Sequence, residues 1–397
     1  ENEIHKLSSQ AESLEQSQKF KNLATWRRNI QSSLAKKGQW LQPKGSYKNV
    51  AVKTESGHTR NKEETAIELR NSWKNLMQTV AWTSQERSRA LSELKAFFSF
   101  SRPSHFAFSQ ALCDIQGCAG IDGWSCDETR LVGNNAFLCQ LAWEEMSVWE
   151  EMAIAPSSLQ DVILLHIPKP GKIQPSGECC SADLRPLTIF SIWWRAWSAT
   201  WIKNPRFNQF IHQIMPRGLT LASKGGCGAE CLASICDHEL SRLGYGVTLD
   251  FRSCFDTIDL PLIRDALLAT LPPGLHGWIN LLISHWIKVD KWIGINGHIL
   301  RTPLNGHTGI PQGDAASPAI LSFFLWQGFE EVQSELNMMG GQFFQAIYMD
   351  DRTVLADRPD LIEAAIHVWH NFAMKRKLIE NMSKLQKVAC AELRPAG

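Results

Sequence analysis

The strongest constraint in this sequence is a pair of adjacent carboxylates between two short β-like runs. Residues Gly341–Tyr348 and Arg352–Ala356 have the aromatic and β-branched composition that is typical of strands. Between them lie Met349, Asp350 and Asp351. The spacing predicts a β-hairpin with both carboxylates at its tip.

A third carboxylate follows another predicted strand, Gly244–Phe251. Strand alternation places Asp250 on the face opposite Val247, Leu249 and Phe251, where it is free to meet solvent or a metal ion. Like charges that pack together raise one another's pKa, and divalent cations remove that cost. Mg²⁺ prefers carboxylate oxygens together with phosphate and water. The alternative is an ordinary exposed Asp-Asp turn.

Three further elements can be predicted around these carboxylates. An apolar run, Asp161–Ile167, is followed by Pro and Gly and predicts a strand that enters a turn. Ser317 and Pro318 predict the cap and first residue of a buried helix that extends to about Leu336. A second helix is predicted from one apolar face, formed by Leu361, Ala365, Val368 and Phe372.

Composition excludes several classes of protein. The chain has 397 residues, of which 44% are hydrophobic and 20% charged, so it can bury a core and is not a disordered or fibrous chain. Its most apolar windows are interrupted or too short to cross a bilayer, and it opens with no secretory signal, so no membrane association is expected. Eleven cysteines without paired CxxC spacing indicate reduced intracellular thiols rather than zinc ligands. Most of the 16 tryptophans are expected in the core.

Charge divides the chain into three predicted regions. Residues 19–62 contain eleven Lys or Arg against one acid, Glu55. We therefore predict a basic, partly disordered arm over 1–62, a helical segment over 63–104 with helices near Glu63–Met77 and Thr83–Phe98, and a globular domain over 105–397. A basic arm is typical of binding to nucleic-acid phosphate, and a solvated tail is the alternative. Because the chain begins at Glu1, we expect a piece of a longer polypeptide.

Several short motifs follow one another along the chain, and their order is more informative than any one of them. They are Gly120-Ile121-Asp122-Gly123, Ile167-Pro168-Lys169-Pro170-Gly171-Lys172, Leu184-Arg185-Pro186-Leu187, Asp250-Phe251-Arg252-Ser253-Cys254-Phe255-Asp256, Gly309-Ile310-Pro311-Gln312-Gly313 with Ser317-Pro318, Tyr348-Met349-Asp350-Asp351, and Asn381-Met382-Ser383-Lys384. In this order they resemble the reverse transcriptase family, and in particular its non-LTR retrotransposon and group II intron branch. The resemblance covers roughly residues 105–390.

The resemblance implies an α+β fold of right-hand polymerase type. It implies fingers over about 105–245 and a palm over about 246–397, with an antiparallel palm sheet backed by helices and no visible thumb. It also implies that Asp250, Asp350 and Asp351, with the backbone carbonyl of Phe251, hold two Mg²⁺ ions, for which Mn²⁺ is an alternative. The implied activity is that of an RNA-directed DNA polymerase, a nucleotidyltransferase.

The resemblance further assigns substrate contacts. Lys169 and Arg185 are implied to hold the triphosphate, Phe255 to be an aromatic gate against a ribose 2′-hydroxyl, and Lys384 to donate a proton to the leaving pyrophosphate. Gln312 and Gly313 are implied to lie beneath the nascent base pair. Tyr348 is implied to contact substrate as the first residue of the motif that contains Asp350 and Asp351. A core Phe, a turn lysine and a surface lysine remain the alternatives for Phe255, Lys169 and Lys384.

The partners implied are an RNA template, a DNA primer, dNTPs and other domains of a retroelement polyprotein. The location implied is intracellular, in the nucleus or alternatively the cytoplasm. Met349 and the pair Ala315-Ala316 depart from the residues usual in the non-LTR branch. Two other functions stay open, namely an inactive or adopted relic that only binds nucleic acid, and an RNA-directed RNA polymerase. A generic α/β protein with a chance Asp-Asp turn is the structural alternative.

Overall fold

The computed structural model describes residues 101–389, apart from gaps at 170, 172–177, 221–227, 296–297, 301 and 307, together with several residues between 51 and 71. Most of the predicted basic arm and the predicted helix Thr83–Phe98 lie outside the described residues. Within the predicted arm, strands β1 (Ala51–Thr54) and β2 (Gly57–Thr59) pair with each other. Residues 64–65, 67–68 and 71 are helical, inside the predicted helix Glu63–Met77.

Two larger sheets organise the described part of the chain. The strands that follow β2 are β3 (Asp161–Pro168), β4 (Glu178–Cys179), β5 (Leu184–Ile189), β6 (Tyr245–Leu249), β7 (Asp290–Ile295), β8 (His298–Ile299), β9 (Phe343–Tyr348), β10 (Asp351–Ala356) and β11 (Gln386–Ala389). Of these, β4 pairs with β1 in a small separate sheet, and the others form the two larger sheets. The first, which we call the aspartate sheet, has the order β11-β6-β10-β9 and is antiparallel throughout. The second has the order β5-β3-β7-β8, and its β3–β7 pair is parallel.

Helices cover and connect these sheets. They are α1 (His105–Asp114), α2 (Cys126–Asn134), α3 (Ala136–Met152), α4 (Ile192–Ile202), α5 (Pro205–Ile214), α6 (Arg217–Thr220), α7 (Gly228–Leu243), α8 (Cys254–Thr257), α9 (Leu260–Thr270), α10 (His276–Lys288), α11 (Ser317–Met339) and α12 (Pro359–Lys375). The sequence predicted the mixed helix and strand content and the antiparallel sheet. In the described residues no helix is long and apolar enough to span a bilayer.

Helix α11 begins differently from the prediction. Its cap position is Ala316, and Ser317 is already helical, so Ser317 does not cap the helix. The Asp314 carboxylate accepts a hydrogen bond from the Ala316 amide at 2.9 Å and supplies the missing cap. Ten residues of the helix are buried, as its nearly uniform apolar surface predicted.

The chain crosses between the two sheets more than once. Strand β7 lies in the region predicted as palm, yet it pairs in parallel with β3 of the region predicted as fingers. Helix α11 then returns the chain to β9 and β10 of the aspartate sheet. The two sheets are therefore joined by a continuous core, in which α10 contributes buried Trp278 and Trp286.

Tryptophans form buried clusters around two carboxylates. Glu150 on α3 accepts hydrogen bonds from the indoles of Trp197 and Trp201 at 2.8 and 3.1 Å. Asp314 accepts from the indoles of Trp194 and Trp286 at 2.7 and 3.0 Å. These contacts confirm that many of the tryptophans are core residues, and they satisfy indole N–H groups that would otherwise be buried unpaired.

Candidate functional site

Asp250 and Asp351 lie side by side where the two central strands of the aspartate sheet, β6 and β10, meet at one end. Arg352 on β10 pairs with Leu249 on β6, so one step further along both strands places Asp351 opposite Asp250. Directly opposed residues of an antiparallel pair face the same side of the sheet. The structure thus brings together two carboxylates that are 101 positions apart in the sequence.

Asp350 is held above this pair by a tight turn. Tyr348 pairs with Asp351, so the turn contains two residues, Met349 and Asp350, and Asp351 belongs to the strand rather than to the predicted hairpin tip. Met349 has φ of 57°, in the left-handed region that costs a residue with a side chain about 1 kcal/mol. The strain is local to the turn that presents Asp350.

The three carboxylates influence one another. Burial, together with the charges of Asp250 and Asp351, raises the pKa of Asp350 to about 6. Burial and the charge of Asp250 likewise raise the pKa of Asp351. Ionising Asp350 and Asp351 beside Asp250 is therefore unfavourable without a neighbouring positive charge, which is the electrostatic condition for a cation site.

Asp250 is held from a third segment of the chain. Asn381 donates two hydrogen bonds to it, from its backbone N–H to the Asp250 carbonyl and from Nδ2 to Oδ2, both at 2.9 Å. Lys384 Nζ lies 2.7 Å from the same Oδ2, and this contact raises the pKa of Lys384. Lys384 was predicted as a site residue, whereas Asn381 was quoted in the same motif without an assigned role. The sequence feature that could have identified Asn381 is its position three residues before Lys384.

Phe251 lies beneath the carboxylates rather than among them. Its side chain is buried, and the guanidinium carbon of Arg352 lies 3.4 Å from its ring centroid. Phe255, on the short helix α8 that follows, is only partly buried and packs against the edge of the core. The ring is therefore not fully enclosed by the core.

The loop that contains Gln312 and Gly313 is fixed against helix α8 and strand β5 of the second sheet. Ile310 donates its backbone N–H to the Phe255 carbonyl at 2.6 Å, and Thr188 on β5 donates to the Gln312 carbonyl at 2.6 Å. Gly313 has φ of 129°, and a Cβ there would lie 2.3 Å from the Thr188 carbonyl oxygen. Both observations require glycine at this position, because any side chain would meet the backbone of β5.

Lys169 and Arg185 lie together at the end of the second sheet. Arg185 is exposed on β5 and pairs with Ile167, two residues before Lys169. Lys169 Nζ donates to the Ala182 carbonyl at 2.9 Å. Burial raises the pKa of Asp256, and the positive charge of Lys169 partly opposes that rise.

Two buried charged residues beside this loop were not predicted as site residues. Asp256 and Lys291 line a cavity of about 10 Å³, roughly the space of one water molecule, together with Thr188 and Gln312. Gln312 Nε2 donates to Asp256 Oδ1 at 3.4 Å. Burial raises the pKa of Asp256 and lowers that of Lys291, while each charge favours the other. Asp256 stood in the motif around Phe255, whereas nothing local marked Lys291.

The raised pKa of Asp350 gives a testable pH dependence. A carboxyl whose folded-state pKa, about 6, exceeds its ordinary value, 3.8, binds its proton more tightly when folded. Its contribution to stability is therefore present below about pH 4 and is lost as the pH rises through about 6. With a chelator present to remove divalent cations, we expect the parent to lose unfolding free energy relative to Asp350→Asn as the pH rises from about 4 to above 6. Urea unfolding at each pH measures it, and a pH-independent difference would contradict the assignment.

The donor set suits a hard divalent cation. Asp250, Asp350 and Asp351 offer carboxylate oxygens, which Mg²⁺ prefers to nitrogen or sulfur. In the described part of the chain no three acidic, His or Cys side chains are grouped closely enough to hold a metal ion by themselves. An open arrangement of this kind fits Mg²⁺, which binds through a few carboxylates and completes its shell with substrate phosphates and water.

Comparison with known proteins agrees with this geometry. The family model described as reverse transcriptase (RNA-dependent DNA polymerase) matches residues 167–394. That range is more than half of the chain and contains β5, Asp250, the Gln312 loop, the Asp350 turn and Lys384. A comparison with curated proteins gives no match. On the strength of the family match, the chain belongs to the reverse transcriptase (RNA-dependent DNA polymerase) family.

Proposed function

We propose that this chain extends a DNA primer on an RNA template by two-metal phosphoryl transfer from dNTPs, as part of a non-LTR retrotransposon protein. Membership of the family makes it an RNA-directed DNA polymerase, a nucleotidyltransferase. The observation that carries the mechanistic proposal is the placement of Asp351 opposite Asp250, with Asp350 in the adjoining turn. In this proposal the aspartate sheet is the palm sheet, and the β5-β3-β7-β8 sheet belongs to the fingers.

The carboxylates would hold the cations and so place the reacting groups. Asp250 and Asp350 would bind the ions, with Asp351 and the Phe251 carbonyl completing the protein ligands. The chemistry that bound Mg²⁺ supplies is activation of the primer 3′-hydroxyl and neutralisation of charge on the phosphates. Lys384, now paired with Asp250, lies where its ammonium group can move to a phosphate oxygen.

The remaining residues would place the nucleotide. Arg185 can bind two phosphate oxygens as a fork, and Lys169 beside it adds a point charge. Phe255 would lie under the sugar, where a ribose 2′-hydroxyl meets its ring. Gln312 and Gly313 would support the nascent base pair, and their hydrogen-bonded loop supplies the rigidity that this role needs.

The direct test is primer extension with defined substrates. Purified protein is incubated with Mg²⁺, a DNA primer annealed to an RNA template, and either dNTPs or rNTPs. We expect extension with dNTPs and little with rNTPs. Extension with rNTPs alone would favour an RNA polymerase, and retained binding to primer–template without extension would favour a relic that only binds nucleic acid.

The partly exposed ring of Phe255 predicts a change in sugar selectivity. Phe255→Ala should increase rNTP incorporation relative to dNTP incorporation by roughly 10-fold to 100-fold, because the ring no longer meets the 2′-hydroxyl. Single-nucleotide extension at varied dNTP and rNTP concentrations measures the ratio. Phe343→Ala, at a partly buried position at the far end of β9, is the matched control and should leave the ratio unchanged. An unchanged ratio in Phe255→Ala would remove the gate role.

A further inference from the structure

A fully buried arginine lies directly beneath the carboxylates. Arg352 follows Asp351 on β10, and strand alternation sends its side chain to the opposite face of the sheet. Its side chain has 0% exposure. The guanidinium carbon lies 3.4 Å from the ring centroid of Phe251 and 4.8 Å from that of Trp369. A charge at this depth is costly unless something specific holds it.

Glu380 is the ionic partner of this arginine. Arg352 Nη1 donates to Glu380 Oε1 at 3.0 Å, and the Glu380 side chain is 9% exposed. Among the described residues, Arg352 Nε and Nη2 have no hydrogen-bond partner. A buried pair that leaves donors unsatisfied adds little net stability, because desolvation offsets the attraction. Stability alone therefore does not explain the pair.

Glu380 of this pair directly precedes the segment Asn381–Lys384, whose residues contact Asp250. Glu380 forms a β-bridge with Phe251, and Arg252 donates its N–H to the Ile379 carbonyl at 2.8 Å. The next residue, Asn381, makes its two hydrogen bonds to Asp250, and Lys384 completes the turn on the same oxygen. Arg352 thus binds this segment through Glu380 on the buried face of the sheet, while Asn381 and Lys384 contact the Asp250 carboxylate.

We infer that Arg352 and Glu380 are a positioning pair, which holds the turn Asn381–Lys384 against Asp250 and thereby orients its carboxylate for a divalent cation. The inference rests on the proposed function for the identity of the ligand. Asn381 and Lys384 occupy Oδ2 of Asp250, so the fixed turn would leave Oδ1 to hold a cation. Neither Arg352 nor Glu380 touches the substrate in this arrangement.

The test removes both charges together. Arg352→Met alone leaves the Glu380 carboxylate buried without its partner, so it confounds positioning with instability. The double variant Arg352→Met/Glu380→Gln buries no unpaired charge and should unfold in urea close to the parent. The matched control, Lys387→Met/Glu363→Gln, removes an exposed ion pair at β11 and α12.

Two readouts on the full chain decide the inference without any measurement of polymerisation. In the double variant, hydrogen-exchange protection of the Asn381 and Arg252 amides should fall by about tenfold, while β6 and β10 amides and the control variant keep theirs. The affinity for Mn²⁺ without nucleic acid or nucleotide, measured by the electron paramagnetic resonance signal of the free ion, should fall by roughly 10-fold to 100-fold. Unchanged protection overturns the inference, as does lost protection with parental Mn²⁺ affinity. Primer extension by the parent judges the proposed function separately.

Discussion

Replacing Asp350 by Asn should reduce primer extension by about 10³-fold or more, as expected when one member of a catalytic group is lost. Asn keeps the shape of the side chain and one oxygen, but it removes the negative charge that a divalent cation requires. Asp350 lies in a tight two-residue turn beside Asp250 and Asp351, so no other carboxylate can take its place without moving the hairpin. Extension on an RNA template with dNTPs and Mg²⁺ measures the effect.

The same variant should not be less stable than the parent when divalent cations are absent. Its amide carries no charge, so it removes the cost of burial and the repulsion by Asp250 and Asp351 that together raise the pKa of Asp350. A variant that is inactive yet equally or more resistant to urea would separate lost chemistry from lost structure. Asp237→Asn, at an exposed position on α7, is the control and should retain parental extension. Asp350→Asn activity within about tenfold of the parent would refute the catalytic role of Asp350.

The β9–β10 hairpin and strand β6, which ends just before Asp250, could be predicted because local sequence determines them. Two short runs around Met349 and Asp350 allow few alternatives to a tight turn, and alternation along β6 separates Asp250 from the apolar face. The turn was predicted one residue too long, because Asp351 pairs with Tyr348 across the strands. Such an extension depends on hydrogen bonds that composition does not specify.

The contacts that complete the site depend on residues far apart in the chain. Asn381 reaches Asp250 across 131 positions, and Lys291 lines a cavity with Asp256 only because β7 joins the second sheet. Arginine is rarely fully buried, so no pattern around Arg352 predicted its position beneath Phe251. These side chains acquire their roles from tertiary packing, which brings each into contact with a specific partner.

Asp314 shows how such a partner affects both stability and the site. Its Oδ2 accepts the two indole N–H groups of Trp194 and Trp286, and its Oδ1 accepts from the Ala316 amide and the Ser198 hydroxyl. Helices α4 and α10 and the start of α11 therefore meet at one carboxylate. The residue lies two positions after Gln312, so it also anchors the loop that is proposed to support the nascent base pair.

Replacing Asp314 by Ala should lower the free energy of unfolding by about 4 kcal/mol, because four buried donors lose their acceptor and each unpaired donor costs about 1 to 3 kcal/mol. Asp314→Asn should cost about half as much, since one amide oxygen can serve two of the donors while the amide NH₂ opposes the others. Urea unfolding followed by far-ultraviolet circular dichroism gives both values.

The matched control is Asp161→Ala. Asp161 accepts one partly buried indole N–H, from Trp292 at 2.7 Å, so its loss should cost about 1 kcal/mol. The ordering Asp314→Ala, then Asp314→Asn, then Asp161→Ala follows from the number of donors left without an acceptor. A cost for Asp314→Ala no larger than that for Asp161→Ala would show that the four donors find other acceptors, and that the loop at Gln312 is anchored by its backbone hydrogen bonds to Thr188 and Phe255 rather than by this carboxylate.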